Sequence, residues 1–224
     1  MYFKLIRETL PPFSAIVLND DLDINLQSAS TEEYIIEADD NLIDVLKFRV
    51  ENETLVISSY YKITSKRRLN ITVNFNQLYR ITANEGNIMV KNRFSTDFLE
   101  VNTFDSGRVE IDVAANEMVV NMQGNSKGNF KVDSDTLNIA LTDKADLKLF
   151  GVMETTILDM KQNADADLEG FTNGLILNLY DTSDLKARRL EADTVQANMD
   201  GASSAEVLAK NTVDLNSKGS AKTY

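Results

Sequence analysis

A repeat of 19 to 20 residues governs the last two thirds of this chain. Segments 79–83, 99–103, 118–122, 137–141, 156–160, 175–179, 195–199 and 213–217 begin at spacings of 20, 19, 19, 19, 19, 20 and 18 residues. A unit this short buries no apolar face alone, so its regular recurrence predicts copies stacked on one another as a solenoid. Each segment alternates in character, with Ile81, Val101, Val120, Ile139, Leu158, Leu177, Ala197 and Leu215 at the third position. A period of two marks strands, and the shared third position predicts one continuous internal column.

A second feature follows each of these strands. Glu85-Gly86-Asn87, Asp105-Ser106-Gly107, Gly124-Asn125-Ser126, Asp143-Lys144-Ala145, Asn163-Ala164-Asp165, Asp181-Thr182-Ser183, Gly201-Ala202-Ser203 and Gly219-Ser220-Ala221 are small or turn-forming. Such residues accept positive φ and tight bends. Further alternating stretches come next, as at 109–113, 130–132, 147–149 and 205–208. Each unit reads as strand, tight turn, strand and looser return. Stacked units give two parallel sheets face to face, with strands about 4.8 Å apart.

The first part of the chain has another texture. Pro11 and Pro12, the only prolines, close a lead-in, and short strands are predicted at 13–18 and 22–26 around an Asp20-Asp21 turn. Residues 34–37 read as another strand. Asp39 and Asp40 offer N-cap chemistry to a short helix over 41–48, where Leu42, Val45 and Leu46 fall at helical spacing. Segments 48–50 and 55–59 flank Glu51-Asn52-Glu53-Thr54 as a hairpin. A basic stretch at 62–68 leads to an alternating strand at 69–75. The predicted fold is all-β, a right-handed parallel β-helix or solenoid with an N-terminal β cap carrying one short helix. Residues 1–224 are expected to form one domain, with 1–77 as cap and lead-in coils and 78–224 as repeats.

Composition removes whole classes of function. Net charge is −12, from 35 acidic and 23 basic residues, so the average field repels nucleic acid. The chain has no Cys and no His, which removes disulfides, thiolate nucleophiles, the commonest general base and the commonest transition-metal ligand. No run approaches the roughly 20 apolar residues that span a bilayer, so membrane insertion is not expected. Lys4, Arg7 and Glu8 interrupt the apolar opening, which therefore does not read as a signal peptide.

The stretches FSAIVLNDDLDINLQ, ADDNLIDVLKFRVENETLVIS and DGASSAEV, set around the repeats, resemble the autotransporter-adhesin head domain, or GIN domain, of secreted and surface proteins of Bacteroidetes. The likeness runs from about Phe13 onward. It implies a β-helix similar in shape to pectin lyases but without catalytic residues, a role in cell adhesion, and export to the periplasm or cell surface by a signal absent from this chain. The family's Gly-Ser-Gly turns are missing here, so the tight turns of the middle coils are expected to be longer or differently shaped.

Three constellations stand out among the residues themselves. Asp146, Asp165 and Asp184 share one register position in successive repeats and predict a ladder of like charge, a candidate weak cation site. Charges about 5 Å apart repel by about 1 kcal/mol in water and about 3 at an effective dielectric of about 20. Either a hard cation lies between them or the turn is solvated with Lys144, Lys148, Lys161 and Lys186 nearby; the modest demands of exposed ion pairs favour the second. The pairs Asp133/Asp135 and Asp165/Asp167 place two carboxylates on one strand face, as glycoside hydrolysis needs, yet Asp is common in the turns of the chain, so the spacing says little. Tyr60, Tyr61, Lys66, Arg67 and Arg68 read as a cap on the solenoid's edge rather than a sugar-binding patch.

The expected function is non-enzymatic binding or adhesion, with no catalytic, cofactor or metal residues assigned. A protein or glycan is the expected partner, and homo-oligomerisation is open. The alternatives are a polysaccharide-active β-helix enzyme and a structural envelope protein.

Overall fold

The computed structural model describes residues 3–61 and 69–224. The chain opens with β1 (Phe3–Thr9), β2 (Ala15–Leu18), β3 (Asp23–Ser28) and β4 (Glu33–Asp39), makes one helical turn, α1 (Asp40–Ile43), and continues as β5 (Leu46–Glu51), β6 (Thr54–Ser59), β7 (Leu69–Phe75), β8 (Arg80–Ala83) and β9 (Asn87–Val90). Seven further strands follow: β10 (Phe94–Thr103), β11 (Arg108–Met122), β12 (Lys127–Leu141), β13 (Asp146–Met160), β14 (Asp165–Leu179), β15 (Asp184–Met199) and β16 (Ser204–Ser217). A short β17 (Lys222–Thr223) closes the order. The result is a nearly all-β solenoid of about eight turns.

The repeats form as their alternation requires. Val109, Ile111, Val113, Met118, Val120 and Met122 of β11 are buried, and intervening side chains face outward. Parallel pairing carries the register forward by one repeat, as in Val120 with Ile139 and Leu158 with Leu177. Ile81, Val101, Val120, Ile139, Leu158, Leu177 and Ala197 therefore stack in one buried column. Leu215 departs from it and is 44% exposed, because β16 lies at the end of the stack with only β17 beyond it.

The expected looser return is instead hydrogen-bonded. Each of β11 to β15 runs without interruption from one face of the solenoid around a corner to the other, so all strands join in a single sheet. At the corner the register steps over Asn116 and Asp135 while Ala115 still pairs Ser134 and Glu117 still pairs Thr136. The change of face appears in β11 as two successive outward residues, Asn116 and Glu117. The 20-residue spacing between the segments at 175 and 195 has a local cause: Arg188 is an extra residue between the pairs Asp167–Lys186 and Glu169–Arg189.

The opposite corner is the tight turn, and its shape is constant across the middle coils. Positive φ recurs once per turn at Gly86, Asp105, Gly124, Asp143, Gln162, Asp181, Gly201 and Gly219. The turns lacking glycine are neither longer nor differently shaped. The strain of φ near 60° at Asp143, Gln162 and Asp181 is offset by a side-chain ladder. The amide of Gly124 donates to Asp143 at 3.1 Å, that of Asp143 to Gln162 at 2.8 Å, and that of Gln162 to Asp181 at 2.9 Å. Just past this position the bend has room only for Gly107, Ser126, Ala145, Ala164, Ser183 and Ser203, all buried. A Cβ on Gly107 would lie 2.1 Å from the Ala83 carbonyl oxygen.

The N-terminal part does not stack in chain order. β2 lies between β6 and β8, and β3 lies between β7 and β9, all parallel, so the coil made first sits inside the coil made later. β1 and β4 add antiparallel cover on β7. The lead-in before Pro11 is thus a strand, where none was expected. The expected helix over 41–48 contracts to one turn, with no side-chain cap from Asp39, because Leu46–Glu51 pairs with β6. Phe48 then stacks on Tyr34 at 4.2 Å between ring centres. The hairpin turn at Asn52-Glu53 has φ of 48° and 58°, as a two-residue primed turn requires.

Candidate functional site

Asp146 pairs in register with Asp165, and Asp165 with Asp184, on one outer face. Lys127, one rung before Asp146, reaches it at 3.6 Å. Lys186 lies 3.8 Å from Asp184, which also accepts a hydrogen bond from Ser204. Asp165 in the middle has no ion-pair partner among the described residues. Its carboxyl is raised above the ordinary value by burial first, then by the charges of Asp184 and Asp146, against the opposing pull of Lys186. Of the four lysines expected nearby, Lys186 makes an ion pair with the ladder, while Lys161 lies 5.8 Å from the ring of Tyr180. Among the described residues no three carboxylates converge as a metal centre.

The carboxylate pairs are drawn into separate contacts. Asp133 bonds Arg93 at 3.1 Å, and Arg93 also approaches Asp112 at 3.9 Å. Asp167 pairs with Arg189 at 3.3 Å, while its partner Asp165 belongs to the ladder. Tyr60 and Tyr61 are exposed on the cap, with the Lys47 ammonium 3.4 Å from the Tyr60 ring centre. Lys66, Arg67 and Arg68 lie outside the described residues.

One concavity was not anticipated. A groove of about 790 Å³ runs along the folded corner where the cap meets the repeats. Its lining comes from the β7–β8 connection at Asn76, Gln77 and Tyr79, from the start of β10 at Ser95 to Phe98, and from the corners of β11 and β12 at Asn116, Asp133, Ser134 and Asp135. Phe75 and Phe94, edge to face at 5.3 Å, anchor its buried side. Asn116 donates to Asp97 at 3.2 Å, so neighbouring corner residues are linked across coils. Only Asp133 and Asp135 of this lining were singled out in the sequence. The rest is assembled by the corner, whose place the alternation betrays only as two adjacent outward residues.

A second hollow of about 530 Å³ covers the outer face between Asp23 and Lys148. Arg108, Lys127 and Lys148 there are matched by Asp23, Glu110 and Asp146, which leaves it no sign of charge to select a ligand.

Relatives place this architecture. Residues 12–131 and 125–224 each match the family described as "Putative auto-transporter adhesin, head GIN domain". A crystal structure of a "putative adhesin" from Parabacteroides merdae ATCC 43184 superposes with a TM-score of 0.88 at 15% identity, covering 99% of this chain and 95% of that one. A "putative adhesin" from Parabacteroides distasonis ATCC 8503 gives a TM-score of 0.75 at 14% identity, with 97% of each chain covered. A "putative lipid binding protein" from the same organism gives 0.70 at 14% identity, covering 99% of this chain and 96% of that one. At such identities the likeness is one of fold. No curated protein matches the chain. The family match spans nearly the whole sequence, and the chain belongs to the auto-transporter adhesin head, or GIN domain, family.

Proposed function

We propose that this chain is a non-enzymatic binding protein that acts in adhesion at the cell surface or in the periplasm, with a protein or glycan as its ligand. The observation that carries the reading is the corner groove, a ligand-sized hollow lined largely by polar side chains in which carboxylates are spread along the solenoid instead of opposed across it. Family membership and the adhesin descriptions of two structural neighbours support the same role and support export. The polar lining speaks against an acyl chain as ligand, despite the lipid-binding description of the third neighbour.

Beads coated with the purified protein should be retained on epithelial monolayers or on bacterial cell layers, and soluble protein should compete. The same protein should leave pectins, neutral polysaccharides and host glycans uncleaved. Absence of retention on every surface, or turnover abolished by Asp133→Asn or Asp135→Asn, would overturn the proposal.

A further inference from the structure

The groove opens where the repeat breaks its own pattern. Leu99, Met118, Leu137, Thr156, Leu175 and Val195 begin their strand segments facing the core, but Tyr79, at the same position of the first segment, is 36% exposed, and Leu78 is buried instead. The slip of one residue sets a phenol ring at the groove's wall, with Phe98 also in the lining. The Arg80 guanidinium lies 5.3 Å from the centre of the Tyr79 ring, so the part of the ring left wet is what offers a flat apolar face to a ligand.

Ser134 is a second, independent departure. It is only 6% exposed, it lines the groove, and its hydroxyl makes no hydrogen bond. At the same register position neighbouring coils carry Ala115, Met153 and Ala192, which have no such need, or Thr172, which is bonded to Thr156 at 3.2 Å. A buried hydroxyl without a partner is uncommon in native proteins and calls for one. Around it Asp135 supplies acceptors and takes part in no ion pair among the described residues, while the amides of Asn76, Gln77 and Asn116 supply donors.

A ring face beside alternating carboxylates and amides complements a pyranose, which has an apolar C–H face and an edge of hydroxyls that both donate and accept. Carboxylates at Asp97 and Asp135, on a chain of net charge −12, repel uronic or sulfated sugars. We infer, resting on the binding role proposed above, that the corner groove is the ligand site and that it takes an uncharged polysaccharide lying along the solenoid axis, one sugar stacking on Tyr79 and units further along the same chain bonding Asn116 and Asp135, two and three strands away. The proposal is specific in residue and in charge.

Binding of the whole chain to immobilised amylose, mannan and xylan, with polygalacturonate as the acidic counterpart, tests it by interferometry. At least one neutral glycan should bind in preference to polygalacturonate. Tyr79→Ala and Asp135→Asn should each weaken that binding by about tenfold or more, and Tyr79→Phe should retain it. All three changes are at exposed positions, and matched melting curves check that the fold is kept. If Tyr79→Ala fails to fold, Asp135→Asn and the charge preference still decide. No binding to any neutral glycan, preference for polygalacturonate, or binding indifferent to Asp135→Asn overturns the inference. Beads that still adhere while neutral glycans fail would sink this ligand class alone, whereas loss of both would sink the adhesin reading as well.

Discussion

At the scale of the residue, Asp165 shows how a repeat turns one side chain into an electrostatic problem. Its neighbours above and below are Asp146 and Asp184, and the cations that relieve them, Lys127 and Lys186, pair with the outer rungs. The ladder was legible because three aspartates recur at one register position. Lys127 was not among the lysines expected near the ladder because it is remote from Asp146 in local sequence and adjacent only through the repeat, 19 residues back. Since the folded state raises the Asp165 carboxyl above its usual value, stability linked to this group is present below the unfolded carboxylate value of about 3.9 and is lost as pH rises through the folded value. Asp165→Asn should therefore melt higher than the parent at neutral pH in low salt. That gain should shrink as pH falls below about 4 or as NaCl reaches 0.1 M, where the Debye length is about 10 Å. The triple variant Asp146→Asn, Asp165→Asn, Asp184→Asn should gain more and respond less to salt. A difference independent of both pH and salt would refute the account, and a saturable micromolar Ca²⁺ isotherm lost in the triple variant would replace it with a calcium site.

At the scale of the element, the unit of construction is a long strand bent at a corner and closed by a tight turn. Leu158 is fully buried in the central column of β13, between Ile139 and Leu177. Leu158→Asp would place an unpaired charge there at several kcal/mol, against a total stability of about 5 to 15. Far-ultraviolet dichroism should show loss of cooperative unfolding, and a soluble variant melting as the parent does would disprove the column's role. The column was legible because strand alternation and the repeat give independent constraints that agree. The turn was less so: Gln162 reads as an ordinary polar residue, and only its side-chain bond to the Asp143 amide explains why it occupies a position held elsewhere by Gly or Asp. The corner was hidden because backbone pairing continues through it and, of the long strands, only β14 carries a glycine there, Gly174, so the groove built on that corner was hidden with it.

At the scale of the molecule, cap and repeats interpenetrate in a way that no local pattern announces. The β2–β3 coil is clasped between β6–β7 on one side and β8–β9 on the other, although the chain leaves it and returns at β6 only after three intervening elements, β4, α1 and β5. Sequential elements usually neighbour one another, so a reading along the chain places the lead-in coils in order and misses the clasp. The clasp bears on stability. Ile16, Leu18, Ile24 and Leu26 are buried by contacts to both sides, and the hydrophobic cluster runs unbroken from Leu10 to Ala205. Lifting away the cap would strip the first repeat coil as well, so we propose that residues 1–224 behave as one domain. Beyond Ala205 the balance differs, with Leu208, Val213 and Leu215 at 46%, 53% and 44% exposure. Solenoids unfold coil by coil when an end is weak and together when neighbouring interfaces are strong. Hydrogen exchange should accordingly find β16 opening first, with the amides of β2, β3 and β8 to β14 protected to a common, higher free energy. Calorimetry should show a single main transition. Two resolved transitions, or β2 and β3 exchanging well ahead of β12, would mean that the cap is a separate unit and that the clasp does not couple it to the repeats.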